Sequence, residues 1–358
     1  MIRGMKQLAA ILLIALFAGC SRSSDSDSGL TSVLILPASH PPALMDLGGG
    51  AAADDDPTLI RAQDGRFYLV FISDRSGNMD LWITSSGNGV TWSAPVQITT
   101  SGDEDLYPNL LQTADGAFHL VWHRFEGLTT GQSHLYYRTT LTPLDWGATE
   151  TPITTGVVDD WDCKLIQVGA SELRVYFSSA ARSSNPTYNR DIYLVRSTDL
   201  GQNWGSPAIS NVSHVSQADR YPAVIELTPG QFRMIFQRQD SDAILDATSD
   251  LFVADSTDGL AWSSPVQITS DPSDAVPDVF ANFYRAPLLD EWVMSWTSPA
   301  GLISRPVNSP TAIELSPILG MGGWSTRTTA SQDGNSLMIF VSNDAGPPAR
   351  LYSVLLPL

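Results

Sequence analysis

The stretch from Asp54 to Thr99 is the unit from which most of this chain is built, because its landmarks return downstream in the same order. It opens Asp54-Asp55-Asp56-Pro57, passes through Thr58-Leu59-Ile60, turns at Asp64-Gly65 and continues through the alternating Phe67-Tyr68-Leu69-Val70-Phe71. Met79-Asp80-Leu81-Trp82-Ile83 follows, then a turn of small residues ending at Trp92, then Pro95-Val96-Gln97-Ile98-Thr99. Four short apolar runs separated by turn residues predict a four-stranded meander.

The opening returns as Asp105-Leu106-Tyr107-Pro108, Asp160-Trp161-Asp162-Cys163, Asp219-Arg220-Tyr221-Pro222 and Asp274-Ala275-Val276-Pro277. These intervals of about 50 to 60 residues fall in the range of propeller blades. The closing tryptophan returns as Trp146, Trp204 and Trp262. Ten positions separate Pro57 from Phe67, Pro108 from Phe118, Cys163 from Leu173 and Pro222 from Phe232, so the first turn of each unit has one length.

A fifth unit places its second strand at Trp292-Val293-Met294-Ser295-Trp296 and its third at Gly301-Leu302-Ile303-Ser304. A sixth begins near Thr326, carries Asp333-Gly334 and ends at Leu351 to Leu356, one strand short. The unassigned run Ser32 to Leu36 supplies a spare strand at the other end. Pairing the two ends removes the open edges of a linear array. The expectation is therefore an all-β, six-bladed β-propeller of four-stranded blades, closed by the N-terminal strand completing the last blade.

The N-terminus reads as an export signal. Arg3 and Lys6 precede the apolar run Leu8 to Phe17, too short to span a bilayer. Leu16-Phe17-Ala18-Gly19-Cys20 resembles a bacterial lipobox, which implies lipidation of Cys20. By the same resemblance, Ser21 directs the product to the outer membrane, periplasmic or surface-exposed. Residues 1–19 are thus expected to be a lipoprotein signal peptide, 20–30 a Ser/Asp-rich tether, and 31–358 one propeller domain. If Cys20 carries lipid, Cys163 has no disulfide partner and reads as a buried thiol.

The net charge of -18 argues against nucleic acid, whose backbone demands basic patches. No cofactor motif is present: the five histidines show no metal-ligand spacing, and no Gly-rich phosphate loop occurs. A structural or site cation such as calcium stays open at this stage.

Ser197-Thr198-Asp199-Leu200-Gly201-Gln202-Asn203-Trp204 fits the Asp-box pattern of sialidase-like (BNR-repeat) propellers. Ser256-Thr257-Asp258-Gly259-Leu260-Ala261-Trp262 is one residue shorter, and Ser85 to Trp92 keeps Gly89 and Trp92 with Gly87 in the Asp place. The box resembles a structural device, with Asp accepting backbone hydrogen bonds and the ring packing under the hairpin. A second resemblance, of Ser73-Asp74-Arg75-Ser76-Gly77-Asn78-Met79-Asp80-Leu81 to the repeats of TolB-type periplasmic propellers, implies a protein-binding scaffold.

In a propeller the first strand of each blade lines the axis, so Asp54, Asp105, Asp160, Asp219 and Asp274 should gather at the channel mouth with Asp55, Asp56, Glu104, Asp159 and Asp162. Interleaved are Tyr107, Trp161, Arg220 and Tyr221, with Tyr284, Arg285, Trp324 and Arg327 farther on. Carboxylates beside aromatic faces suit a sugar, a cation or a cationic peptide. The competing reading is structural: an Asp repeated in every unit caps a loop by bonding backbone amides.

The residues that break the repeat, Asp56, Trp161, Asp162 and Arg220, therefore carry more information. Resemblance to sialidases implies an arginine cluster, but the Phe-Arg-Ile-Pro place of the first unit holds Asp55 instead of arginine. An alternative cluster of Arg220, Arg285 and Arg327, or a carboxylate pair Asp56 and Asp162, would be the catalytic set of a glycoside hydrolase. Three readings result: a lipid-anchored envelope propeller binding a glycan, peptide or protein without chemistry; a glycoside hydrolase; and a TolB-like envelope scaffold.

Overall fold

The computed structural model describes residues 43–126, 132–180, 182, 190–213, 217–239, 249–269, 279–286, 291–298, 301–308, 313–314, 326–330, 336–342 and 350–356. The expected signal peptide, Cys20, the tether, Ser32 to Leu36, Asp274 and Trp324 lie outside them.

The described chain opens on β1 (Ala43–Leu44) and then folds into successive antiparallel meanders. The first blade is β2 (Asp54–Arg61), β3 (Phe67–Ser73), β4 (Asp80–Ser86) and β5 (Val96–Gln97). The second is β6 (Glu104–Gln112), β7 (Phe118–Glu126), β8 (Gln132–Thr140) and β9 (Thr151–Pro152); the third is β10 (Asp160–Val168), β11 (Glu172–Ser179), β12 (Asp191–Ser197) and β13 (Ala208–Ile209). The fourth is β14 (Ala218–Thr228), β15 (Gln231–Gln239), β16 (Asp250–Ser256) and β17 (Val266–Gln267); the fifth is β18 (Val279–Ala286), β19 (Glu291–Ser298), β20 (Gly301–Pro306) and β21 (Ile313–Glu314).

The all-β propeller of four-stranded blades stands, but the expected count of six is corrected: contiguous chain completes five blades, not six. The remaining strands, β22 (Thr326–Ala330), β23 (Ser336–Ser342) and β24 (Arg350–Leu356), form a sheet shared with the other end of the described chain, in the order β1-β24-β23-β22. Its outer strand is Ala43–Leu44, opposite Ser353 and Tyr352, rather than a strand at Ser32 to Leu36. The physical reason is that the outermost strand of every blade is only two residues long. Two residues carry no alternation to read.

The cores lie between blades rather than within them. Val70, Ile72 and Leu81 of the first blade pack with Leu110, Leu120 and Trp122 of the second, and equivalent clusters join the second to the third, the third to the fourth and the fourth to the fifth. A fifth cluster brings Met45, Leu47, Leu337, Ile339 and Leu351 against Leu59, Leu69 and Phe71, closing the shared sheet onto the first blade. The second strand of the first blade is buried on both faces, which is why Phe67 to Ile72 is an unbroken apolar run rather than a strict alternation.

Hairpin turns at the far ends of the third strands are built by side chains. Asp258 Oδ1 accepts from the amides of Leu260 and Ala261 at 2.8 and 2.9 Å, while Ser256 Oγ accepts from Gly259 N at 2.8 Å. Asp199 likewise accepts from Asn203 N and Ser197 Oγ accepts from Gly201 N. In the first blade these parts are taken by Ser86 and Asn88, one residue later than the pairing of Ser85 with Gly87 read from the sequence: Asn88 Oδ1 accepts from Val90 and Thr91. At Gly201, with φ 86°, an added Cβ would meet the Tyr137 hydroxyl oxygen at 2.1 Å, so a side chain there would have to displace the neighbouring blade.

Candidate functional site at the propeller axis

Each first strand carries the same irregularity. In β2 the register runs Asp55 opposite Ile72 and then Thr58 opposite Val70, so Asp56 and Pro57 share one partner position and form a bulge. The shift recurs between Leu106 and Asn109, Trp161 and Lys164, Arg220 and Ala223, and Val279 and Asn282. A bulge is where a strand tolerates proline, which accounts for Pro57, Pro108 and Pro222 in the middle of the innermost strands.

The bulged residues adopt left-handed backbone: Asp56 at φ 43°, Tyr107 at 49°, Asp162 at 57°, Tyr221 at 50° and Phe280 at 57°. Such dihedrals are unfavourable for bulky side chains by roughly 1–2 kcal/mol each. They turn all five side chains onto the axis, where they line a cavity of ≈ 50 Å³ together with Asn109, Lys164 and Asn282. In the fifth blade this position falls to Phe280, four residues beyond Val276, so the alignment of Asp274-Ala275-Val276-Pro277 with the other units is corrected. The unit was misread because its Asp and Pro spacing imitates the motif while the bulge uses Phe280 and Ala281.

The recurring first aspartates do something else. Asp54 binds Arg75 at 2.6 Å, Asp105 binds Arg124 at 2.7 Å, Asp160 binds Arg182 at 2.9 Å and Asp219 binds Arg238 at 2.7 Å. The carboxylates of Asp105, Asp160 and Asp219 are wholly withdrawn from water. The partners of these groups are guanidinium side chains, not the backbone amides expected of loop caps. Asp105 also accepts from Trp122 Nε1 at 2.7 Å, so the pair locks the first strand to the second. A signal for this existed in the sequence: an arginine follows each aspartate at 21, 19, 22 and 19 residues.

With those four neutralised, Asp56 and Asp162 are the acidic side chains lining the cavity. Asp162 is buried; its Oδ2 accepts from Ser178 Oγ at 2.7 Å and lies 3.5 Å from Arg220 Nε, and its Oδ1 has no hydrogen-bond donor. Arg220 also covers the Tyr221 ring at 5.1 Å. The rings of Tyr107 and Tyr221 are 6.1 Å apart, and Tyr221 meets Phe280 edge-on at 5.0 Å. Burial, reinforced by the nearby Asp56 and Asp162, pushes both tyrosine hydroxyls above their usual range, so they remain protonated donors at any physiological pH.

Behind Tyr107 lies His123, stacked on it at 5.1 Å and 4.5 Å from the Trp161 ring. Neither ring nitrogen of His123 has a partner, and burial with Arg190 and Arg220 nearby lowers its pKa to about 3. Trp161 is held by a hydrogen bond to Asp159, which in turn binds Arg190 at 2.5 Å. His119, on the same strand, is a satisfied core residue between Thr113 and Tyr137. Cys163 is buried on the cavity wall. Asp55 sits beside the bulge, where its Oδ1 accepts from the amide of Asp56.

The described strands do not bring Arg285 to Arg220. Arg285 stands at the opposite end of β18 from Phe280, about 16 Å away along an extended strand, over the ring of Trp292. Arg327 lies in β22, opposite Ile339. Among the described residues no group of three or more His, Cys, Asp or Glu side chains is arranged to hold a metal ion.

No protein-family model and no curated protein matches the chain. Solved structures do match over most of its length. A Dyadobacter fermentans protein of unknown function aligns with a TM-score of 0.66 at 14% identity, covering 90% of this chain and 96% of that one. The alpha-L-arabinanase of Penicillium chrysogenum, solved with arabinobiose, aligns at 0.63 and 15% identity, covering 92% and 98%. The NanB sialidase of Streptococcus pneumoniae aligns at 0.63 and 12% identity, covering 90% of this chain and 71% of that one. The class defined by fold is thus the sialidase-like β-propeller, a frame that glycoside hydrolases of several kinds share; at these identities the likeness is one of architecture.

Proposed function

We propose that this protein binds the end of a neutral glycan at the axial cavity. The observation that supports this reading is the pairing of two cavity-lining carboxylates, Asp56 and Asp162, with the rings of Tyr107, Tyr221 and Phe280, while the four neighbouring aspartates are neutralised by arginines. Carboxylate oxygens accept from sugar hydroxyls, and aromatic rings take the C–H face. A cavity of ≈ 50 Å³ admits hydroxyl groups rather than a whole ring, so the sugar would rest on the rings with its terminal hydroxyls inserted. An anionic sugar is disfavoured, because Arg220 already faces Asp162 and the chain carries a net charge of -18.

The test is calorimetric titration with neutral arabino-, xylo- and gluco-oligosaccharides and with sialyllactose. Binding of a neutral ligand that is weakened at least tenfold in Asp162→Asn and Asp56→Asn supports the reading. Binding of sialyllactose alone, or of no sugar, overturns it.

A second reading, glycoside hydrolysis, is favoured by Oδ1 of Asp162, since with Ser178 and Arg220 both on Oδ2 this oxygen is left to act as a base or nucleophile. Release of nitrophenol from aryl glycosides, abolished in Asp162→Asn, would establish it. The setting we propose is the bacterial envelope, with the propeller held by lipid on Cys20 and a glycan or envelope protein as partner; radiolabelled palmitate incorporation lost in Cys20→Ala tests the anchor.

A further inference from the structure

A second concave site lies far from the axis, on the opposite face, where the hairpin turns of the third and fourth blades meet. It is a cleft of ≈ 660 Å³ lined by Trp204 and Trp262 from the two turns, by Ile209 and Leu260, and by the polar groups of Arg196, Asp199, Asn203, Ser206 and Ser210. Its size is that of a small-ligand pocket, in the range of about 300–1,000 Å³.

The walls are preformed. Asn211 clamps Trp262 across the blade boundary, its Oδ1 accepting from the Trp262 amide at 2.9 Å and its Nδ2 donating to the Trp262 carbonyl at 2.8 Å. Tyr176 donates to the Gly259 carbonyl at 2.7 Å, and Arg174 to that of Asp258 at 2.5 Å. Trp204 packs edge-on against Tyr137 at 5.3 Å. The opening is apolar where it faces water, with Ile209 57% and Leu260 40% exposed.

The charged side chains on the rim already have hydrogen-bond partners within the protein. Arg196 donates to Glu172 at 2.5 Å, and Asp199, whose pKa its bonds from Asn203 and Ser197 lower to about 2, accepts from the side-chain Nδ2 of Asn203 at 2.7 Å. An anionic ligand would meet Asp199, whose hydrogen bonds from neutral groups hold its carboxylate ionised. A purely hydrophobic ligand would strip water from Arg196, Asp199, Asn203 and two serines without replacing it. A neutral molecule with apolar faces and many hydroxyls satisfies both walls.

We propose that this cleft is an accessory binding site for a neutral oligosaccharide, separate from the axial cavity. It rests on the reading that the protein handles glycans, but it uses none of the axial residues. Two such sites on opposite faces would hold a polysaccharide chain near the protein while the axial cavity takes its end.

Affinity electrophoresis in gels containing soluble arabinan, xylan or mixed-linkage β-glucan tests it, with full-length protein and three variants: Trp204→Ala, Asn203→Ala and Asp162→Asn. Retardation by at least one neutral polysaccharide is expected, reduced at least fivefold by Trp204→Ala and less by Asn203→Ala, and retained in Asp162→Asn. Asn203→Ala leaves the Trp204 packing in place and so guards against misfolding, with circular dichroism compared throughout. Retardation lost only in Asp162→Asn overturns the accessory site while sustaining the axial one; no retardation in any gel overturns the accessory site, and the calorimetry decides the axial one separately.

Discussion

Two positions on the same strand, two residues apart, behave in opposite ways. Asp54, Asp105, Asp160 and Asp219 are one residue type doing one job, each neutralised by an arginine. Asp56, Tyr107, Asp162, Tyr221 and Phe280 occupy one backbone position with one unusual dihedral, yet differ in chemistry. Each member of the first set ties the innermost strand of its own blade to the second strand or the residues just after it, and so repeats. The second projects into the hole and is free to vary from blade to blade, which is the condition for an asymmetric site in a symmetric frame.

The strongest way to break this comparison is to remove a member of the first set. Asp219→Ala leaves the Arg238 guanidinium buried with the Val212 carbonyl as its remaining hydrogen-bond partner, and should cost about 3–5 kcal/mol in urea denaturation. A loss below about 1 kcal/mol would show that the repeated pair is ornamental. Asp162→Asn should do the reverse, changing glycan affinity tenfold or more while the unfolding midpoint moves far less than in Asp219→Ala.

Acid sharpens the picture at intermediate size. His119 and His123 have pKa values lowered to about 4 and about 3, chiefly by burial, against an ordinary value near 6.5. Between pH 6.5 and those values the unfolded chain binds more protons than the folded one, so stability rises with pH across that window and is lost as pH falls through it. His123→Phe, which removes two unpartnered ring nitrogens and keeps a flat ring, should flatten that slope and raise stability by about 1 kcal/mol. The smallest effect belongs to Asp56→Gly. Glycine takes a φ of 43° without steric penalty, so the variant should unfold within about 1 kcal/mol of the wild type while losing axial binding.

The frame was legible in the sequence because it repeats. Asp-x-x-Pro, the ten-residue spacing and the recurring tryptophan identified the blades and the axial strands, and the breaks in the pattern at Asp56, Asp162 and Arg220 pointed to residues that do gather near the cavity. What failed to show had physical causes. Ala43–Leu44 is too short to carry a pattern, and Phe280 lies outside the motif that imitates its neighbours. The arginine partners went unread because each lies near the end of, or beyond, a second strand, so that their spacing from the aspartate varies between 19 and 22 residues instead of repeating. Arg285 was misplaced because strand direction, not composition, decides which end of β18 reaches the mouth.

The shared sheet has a mechanical corollary. Ala43–Leu44 is joined to the first blade only through the run 45–53, which contains Gly48, Gly49 and Gly50, and Arg350 grips the carbonyls of Gly50 and Ala52 from the far end of the chain. A single proteolytic nick in that glycine run would leave every contiguous blade intact yet cut the covalent link across the closure, with β1 then retained by its two-residue ladder, the packing of Met45 and Leu47, and the bond from Arg75 to the Leu47 carbonyl. The site at the hub therefore depends on a clasp at the rim.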